Sequence, residues 1–141
     1  MSERHLYETG LHLWEEWTRM WNGAPELALD LVAERFFLHL TLPDSVPAES
    51  VVDPPSVERW VRAHRAKYER LHFQYDCGPF VDVRAGVVAG PWIADVVQDG
   101  AARATCGMDT IVFRDGKITE YWTLAKPVDA FGRWASSWSL R

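Results

Sequence analysis

The sequence has few of the residues that form disulfide frameworks or metal sites. Among its 141 residues there are two cysteines, Cys77 and Cys106, and neither a Cys-x-x-Cys nor a His-Glu-x-x-His spacing occurs. Two isolated cysteines exclude a disulfide framework and a zinc site, and no clustered set of His, Cys or carboxylate residues indicates another metal. We therefore predict two buried, unpaired cysteines and a site that needs no metal and no cofactor.

The chain also lacks a long apolar run and an excess of positive charge. No stretch approaches the ~18 uninterrupted apolar residues of a membrane span, and no apolar segment follows the polar first residues. The formal net charge is -5, with acidic and basic residues interleaved, so there is no basic stripe for a phosphate backbone. We expect a soluble, cytoplasmic protein that binds neither nucleic acid nor membrane, with a small molecule or a protein as its partner.

The length and composition are those of one globular domain. A chain of 141 residues with 48% hydrophobic content can bury most of its apolar surface, and nothing marks a second domain. We predict a single domain over residues 1–141, in which residues 127–141 form a C-terminal tail. This tail contains Trp134 and Trp138. It can cover either a cavity mouth or a partner, and the sequence does not decide between the two.

Tryptophan is abundant, with eight copies. Trp14, Trp17 and Trp21 recur at positions i, i+3 and i+7, which predicts an amphipathic helix over residues 3–22 that ends at Asn22-Gly23. Such an aromatic stripe is most often the core face of a helix packed on a sheet, but it can also form the wall of a pocket. The two uses are compatible.

The remaining pattern places helices first and strands afterwards. In the strand predicted from residue 36, Phe36 and Leu38 share one face, while Phe37 and His39 share the other. This order predicts an α+β domain in which N-terminal helices pack on one face of a strongly curved antiparallel sheet. The predicted elements are helices over 3–22, 26–33 and from Ser56 to about residue 70, a loop over 43–55, and strands over 36–42, 71–83, 87–98, 101–114 and 117–125.

The last two strands form a hairpin with a carboxylate on an apolar face. Asp115-Gly116 provides the two positive-φ residues of a tight type I′ turn. Because side chains alternate along a strand, Asp109 points to the same side as Ile111 and Phe113, which predicts a buried carboxylate. Such a group is either a hydrogen-bonded structural residue or a functional acid with a shifted pKa.

This hairpin, with the pattern Asp109-x-x-x-Phe-Arg-Asp-Gly-Lys-Ile-x-Glu-x-Trp122, resembles the closing hairpin of the nuclear transport factor 2-like superfamily, particularly its SnoaL-like polyketide cyclase branch. The resemblance extends over residues 5–126 through the order of elements. It implies a cone-shaped cavity between the first helix and the sheet, a homodimer, and a catalytic acid/base role for Asp109. A similarly placed aspartate in ketosteroid isomerases is kept protonated and donates a hydrogen bond to an enolate, as is established for that enzyme.

Other residues of related enzymes are absent. Limonene-epoxide-hydrolase-like relatives need an Arg-x-Asp in one strand, but the run Trp92-Ile93-Ala94-Asp95 has no such arginine. Ketosteroid isomerases carry a second carboxylate near residues 38–41, where this chain has none. SnoaL-like cyclases often end the hairpin with Glu-His-Trp-Asp, and here Tyr121 and Thr123 replace the histidine and the aspartate.

These comparisons predict a pocket for a small apolar molecule in which a proton is transferred next to a carbonyl, as in a cyclase or isomerase. Asp109 would be the acid/base, Tyr121 and Thr123 would hydrogen-bond the substrate oxygen, and His39 would help to keep the acid ionised. The predicted catalytic residues are Asp109, Tyr121 and His39, and the predicted substrate-binding residues are Thr123, Tyr75, Phe37, Phe73, Trp92, Ile111, Trp14 and Trp17.

Two other functions remain open at this stage. The same pocket can hold a ligand without transforming it, since domains of this fold include carriers and accessory modules. The sheet can also serve only for dimerisation, in which case an extended apolar patch is expected on its outer face.

Overall fold

The computed structural model of the chain describes residues 2–40, 44, 46–75 and 77–127, with side chains described as far as residue 125. The tail predicted from residue 127 lies outside the described residues, except that residue 127 ends the last strand. The elements are α1 (Glu3–Trp21), a 3-10 helix (Pro25–Leu27), α2 (Ala28–Leu31), β1 (Val32–Leu40), a second 3-10 helix (Ala48–Ser50), α3 (Pro54–Arg65), β2 (Arg70–Gln74), β3 (Phe80–Asp82), β4 (Val87–Gln98), β5 (Ala101–Arg114) and β6 (Lys117–Pro127).

The first helix is the one expected from the tryptophan spacing. Ser2 caps its N-terminus by accepting a hydrogen bond from the His5 amide, and Gly23, with φ at +124°, follows its end. The side chains that α1 buries include Trp14, Trp17 and Trp21. No helix of the described part of the chain is both long and apolar enough to cross a membrane.

The other two predicted helices differ from the structure at their ends. The second is shorter than predicted, because the β-branched Val32 begins β1 opposite Ile118 of β6. The third begins before Ser56, since Asp53 is the N-cap and Ser56 completes a capping box, with two prolines in the first turn. It ends at Arg65 rather than near residue 70, where β2 already pairs with β4.

The strands form one sheet in the order β1-β6-β5-β4-β2, with β3 also paired to β4. All pairs among β2 to β6 are antiparallel, as predicted, but β1 runs parallel to β6, so the sheet is mixed. A parallel pair needs a long crossover, which α3 and β2 to β5 provide between the two strands. The predicted strand over 71–83 is divided into β2 and β3.

The tight turn at Asp115-Gly116 forms as predicted, with φ at +52° for Asp115 and +74° for Gly116. The helices cover the sheet face that carries Ile111 and Phe113, which are 0% and 5% exposed. Asp109 lies on the same face and is buried, as the strand alternation predicted. Cys106 is buried and unpaired as expected, whereas Cys77 is only half-buried. The α+β fold with helices on one sheet face is therefore confirmed.

Candidate functional site

A cavity of ≈ 350 Å³ lies between the helices and the inner face of the sheet. Its walls come from α1, α3 and strands β2, β4, β5 and β6, so residues far apart in the chain meet there. The lining residues are Trp14, Trp17, Thr18, Trp21, Leu40, Asp44, Trp60, His64, Lys67, Tyr68, Leu71, Phe73, Gln74, Tyr75, Trp92, Val96, Arg103, Thr105, Asp109, Tyr121, Thr123 and Ala125.

Asp109 is the buried acid of this cavity, with 8% of its surface exposed. Its Oδ1 accepts a hydrogen bond from Trp92 Nε1 at 2.7 Å, and its Oδ2 accepts one from the Tyr121 hydroxyl at 2.5 Å. Thr123, its cross-strand neighbour on β6, adds a third side-chain hydrogen bond. Side chains of the two strands that flank β5 therefore hold the carboxyl group in place.

Burial raises the pKa of Asp109 from 3.8 to about 6, against the opposing effect of hydrogen bonds from Tyr121, Thr123 and Trp92. Burial, followed by the charge of Asp109, raises the pKa of Tyr121 well above its usual value. Tyr121 therefore keeps its proton at neutral pH. An acid whose pKa lies near neutrality can exchange protons in either direction under physiological conditions.

The aromatic side chains of α1 form the opposite wall. The Trp17 ring lies 4.7 Å from the Tyr121 ring, and the Trp14 ring meets Tyr75 edge-on at 6.0 Å. The indole N–H groups of Trp14, Trp17 and Trp21 are buried without a hydrogen-bond partner among the described residues. Trp17 approaches the Tyr121 hydroxyl closely enough to lower its pKa, but its N–H lacks hydrogen-bond geometry. The wall that α1 contributes is therefore aromatic, and its indole N–H groups are buried beneath the surface of the cavity.

Most of the predicted site residues line this one cavity. Two lie in the hairpin beside Asp109, and five others come from α1 and from the strands and loop at 73–92. The predicted residues that line the cavity are Asp109, Tyr121, Thr123, Tyr75, Phe73, Trp92, Trp14 and Trp17. Their roles remain predictions.

Three predicted site residues lie elsewhere. Ile111 is fully buried in the core and is not a lining residue. Phe37 is 50% exposed, because Phe36 and Leu38 take the inner face of β1. His39 shares the outer face with Phe37, where its Nε2 lies 2.6 Å from Glu120 Oε1 and its ring stacks on Trp122 at 3.6 Å. The structure does not bring His39 to Asp109.

The part of the site that α3 contributes was not predicted from the sequence. Trp60 and His64 lie in the helix predicted from Ser56 and were not among the predicted site residues, yet both line the cavity. Asp44 and Lys67, from the segments on either side of α3, join them. The only available signal was that His64 falls on the apolar face of a helix. Among the described residues, no group of three or more His, Cys, Asp or Glu side chains could hold a metal ion.

Comparison with known proteins relates this geometry to solved structures. No family model and no curated protein matches the chain. A candidate polyketide cyclase of Acidithiobacillus ferrooxidans is similar with a TM-score of 0.71 and 17% identity, over 89% of this chain and 93% of that one. A candidate polyketide cyclase of Xanthomonas campestris pv. campestris has a TM-score of 0.71 and 14% identity, over 95% and 99%. A protein of Catenulispora acidiphila with a ketosteroid isomerase-like fold, in complex with trimethylamine, has a TM-score of 0.65 and 13% identity, over 79% and 83%.

The chain has the ketosteroid isomerase-like fold. This is the fold that the closing hairpin predicted. In this ketosteroid isomerase-like domain, the hydroxyls of Tyr121 and Thr123 are engaged with Asp109, whereas the sequence analysis assigned them to a substrate oxygen. Other hydroxyl and amide groups that line the cavity are those of Tyr75, Gln74 and Thr105.

Proposed function

We propose that this protein is an enzyme that removes a proton next to a carbonyl group of an apolar, ring-containing small molecule and returns it without a cofactor, in the manner of a SnoaL-like cyclase or isomerase. The observation that carries the proposal is the position of Asp109, a buried carboxyl group with a pKa of about 6 in the wall of an aromatic cavity. The fold, shared with candidate polyketide cyclases, supports the same reaction class.

Asp109 acts as the base in this proposal. A pKa of about 6 leaves the carboxyl group mostly ionised at pH 7. An ionised carboxylate offers about four acceptor positions, of which Trp92, Tyr121 and Thr123 use three. The remaining position takes the proton from the carbon next to the carbonyl. The protonated acid then returns that proton, so no other group is consumed.

The substrate oxygen is bound by a hydroxyl group of the cavity wall. Removal of the proton places negative charge on the carbonyl oxygen, and donors aimed at that charge lower the barrier most. The donor that we assign to this oxygen is the hydroxyl of Tyr75, which lines the cavity. Burial raises the pKa of Tyr75 above its usual value, so the hydroxyl keeps its proton at neutral pH.

The test is hydrogen exchange. Candidate ligands are chosen from a panel of cyclic ketones, aromatic polyketones and steroid ketones by their ability to raise the melting temperature. Loss of the signal from protons next to the carbonyl is then followed by NMR in D₂O. Asp109→Asn should bind the same compounds but exchange them at least about 100-fold more slowly, the low end for a general base.

The matched control is Asp95→Asn, which changes an exposed aspartate of β4. It should exchange at the wild-type rate. Equal rates for wild type and Asp109→Asn would refute the assignment of Asp109.

A second candidate function is a carrier that binds the same ligand unchanged. It is favoured by the cavity lining, which is rich in aromatic residues, and by the engagement of both Asp109 oxygens within the protein. Ligands that stabilise wild type and Asp109→Asn equally, with no exchange by either, would establish the carrier.

We also propose that the protein is a homodimer that pairs through the outer face of the sheet. Large apolar side chains are exposed on this face in three neighbouring strands, and Met108 lies directly opposite Leu124. Phe37, Met108, Trp122 and Leu124 are between 37% and 50% exposed. Contiguous apolar surface of this kind is typical of protein interfaces.

A further inference from the structure

A second polar cluster, formed around Asp44, lines the same cavity. Asp44 Oδ2 accepts a hydrogen bond from Trp60 Nε1 at 3.1 Å and lies 2.9 Å from His64 Nδ1. Its Oδ1 accepts a hydrogen bond from Lys67 Nζ. The Asp44 side chain is 10% exposed and that of His64 is 27% exposed. The cluster is therefore largely withdrawn from solvent and belongs to the cavity wall.

This geometry determines which nitrogen of His64 carries the proton. The Lys67 ammonium keeps Asp44 ionised, and an ionised carboxylate only accepts hydrogen bonds. His64 Nδ1 must therefore be the donor, which leaves Nε2 with a free lone pair. No described residue forms a hydrogen bond with Nε2.

The ring is also neutral at physiological pH. Burial lowers the pKa of His64 below its usual 6.5, although the hydrogen bond and the charge of Asp44 act in the opposite direction. The titratable and charged groups that face the ring are Asp44, Lys67 and Tyr68. Arg103 lines the same cavity.

The two polar clusters are connected by a short chain of rings. The His64 ring lies 5.4 Å from Trp21, and Trp21 lies 4.9 Å from Trp60. Trp60 in turn lies 6.1 Å from Tyr121, whose hydroxyl donates to Asp109. Trp60 therefore donates its N–H to Asp44, and its ring lies close to the ring of Tyr121, which is hydrogen-bonded to Asp109. A ligand that fills the cavity touches both clusters.

We propose that His64, oriented by Asp44, is a second catalytic base of this cavity, and that the substrate carries two enolisable positions, one facing Asp109 and one facing His64. The inference rests on the proposed function and narrows its substrate to ring systems with two such positions, such as fused-ring diketones. At each position the base takes a proton from carbon, the C–H electron pair moves into the enolate, and return of a proton by the same base restores the C–H bond. Asp44 is a positioning residue, since it acts through His64.

The first test observes the ring itself. Nitrogen NMR of ¹⁵N-histidine-labelled protein at pH 7.5 should show His64 neutral, with hydrogen on Nδ1. Asp44→Asn should lower the pKa of His64, because it removes the carboxylate charge that supports the imidazolium. A ring that is charged at pH 7.5 in the wild type, or that carries its hydrogen on Nε2, would overturn the inference.

The second test follows exchange at separate positions of one probe, trans-decalin-1,6-dione, whose two carbonyls lie in different rings. In D₂O the wild type should exchange protons next to both carbonyls. His64→Gln should lower the exchange rate next to one carbonyl by at least about tenfold relative to the other, and Asp109→Asn should change the ratio in the opposite sense. His12→Gln, which alters an exposed histidine of α1, should leave both rates unchanged.

The outcomes separate the two proposals. If His64→Gln exchanges both positions at wild-type rates while Asp109→Asn does not, the role of His64 is wrong and the proposed function stands. If the wild type binds the probe and exchanges neither position, both are wrong. Should His64→Gln fail to fold, Asp44→Asn replaces it and is expected to change the ratio in the same direction as His64→Gln.

Discussion

Two opposing effects act on the ionised form of Asp109 in the protein interior. Burial disfavours its charge, while three hydrogen bonds from neighbouring strands favour it, and the balance leaves the pKa at about 6. A carboxylate with fewer donors would stay protonated at neutral pH, and one at the surface would be a weak base. The side chains of Trp92, Tyr121 and Thr123 therefore set the strength of the base as well as its position.

The ionisation of Asp109 predicts the pH profile of the reaction. If the carboxylate is the base, the exchange rate should rise as pH increases through about 6 and level off above it. Measurement of kcat/KM between pH 4.5 and 8 tests this expectation, with Asp95→Asn as the control. A rate that falls as pH passes 6 would show that the protonated carboxyl group is the active form.

The same shift predicts a pH dependence of stability. Because the pKa is higher in the folded protein than the ordinary 3.8, the unfolded chain releases the proton first as pH rises. The contribution of Asp109 to the unfolding free energy is therefore greatest below pH 4, decreases between about 4 and 6, and is constant above. The pKa difference between 3.8 and about 6 means that the contribution of Asp109 to the unfolding free energy falls by roughly 3 kcal/mol over this pH range.

Urea unfolding of wild type and Asp109→Asn at several pH values measures this contribution, since the other titrating groups cancel in the difference. The wild type should lose stability relative to the variant as pH rises from 4 to 6. A constant difference over this range would mean that Asp109 has the same pKa in both states.

Among the elements, the hairpin could be predicted from sequence and the first strand could not. Asp115-Gly116 marks the turn, and the alternation along β5 that includes Ile111 and Phe113 places Asp109 on the buried face. The register with β6 shifts by one residue between the turn and Asp109, which the turn sequence did not predict. In β1 both faces are apolar, with Phe36 on one and Phe37 on the other. Alternation therefore correctly predicts that His39 and Phe36 lie on opposite faces of β1, but it does not predict which of the two faces packs against the helices.

Gly107 shows how closely the central strands pack near the site. A Cβ at this position would lie 2.6 Å from Trp92 Cζ2 and would collide with the backbone oxygen of Leu124. Gly107→Ala should therefore lower the unfolding free energy by about 1–3 kcal/mol or more, as overpacking does. It should also slow exchange, because Trp92 must move and its indole holds Asp109.

Chemical unfolding and the exchange assay measure the two effects of Gly107→Ala. Ala101→Ser, at an exposed position at the start of the same strand, is the control and should change both only slightly. Unaltered stability of Gly107→Ala would mean that β6 can shift without cost.

For the whole molecule, the outer face of the sheet predicts the oligomeric state. Light scattering should give twice the chain mass of 16.2 kDa, and Leu124→Glu should give the monomer, because a buried unpaired charge is costly. Leu29→Glu, at a 52% exposed position of α2, should remain dimeric. A monomeric wild type would refute the interface.

For the whole molecule, the sequence predicted the fold but only a part of the cavity lining. The order of helices and strands, together with one hairpin, was sufficient for the architecture. The group formed by Asp44 and His64 was missed, because Asp44 lies in the predicted loop over 43–55, which has no periodic pattern, twenty positions before His64. Periodicity reports which face of an element is apolar, but it does not report which distant side chains that face will meet.

The double use of the tryptophans of α1 constrains how this protein can acquire a new ligand. Trp14, Trp17 and Trp21 are core residues and cavity wall at once, so reshaping the pocket from the helix side reduces stability. Gln74, Thr105 and Ala125 line the same space from the sheet and are not fully buried. Changes of selectivity, in the laboratory or in evolution, should therefore accumulate on the strands, while the tryptophan helix stays fixed.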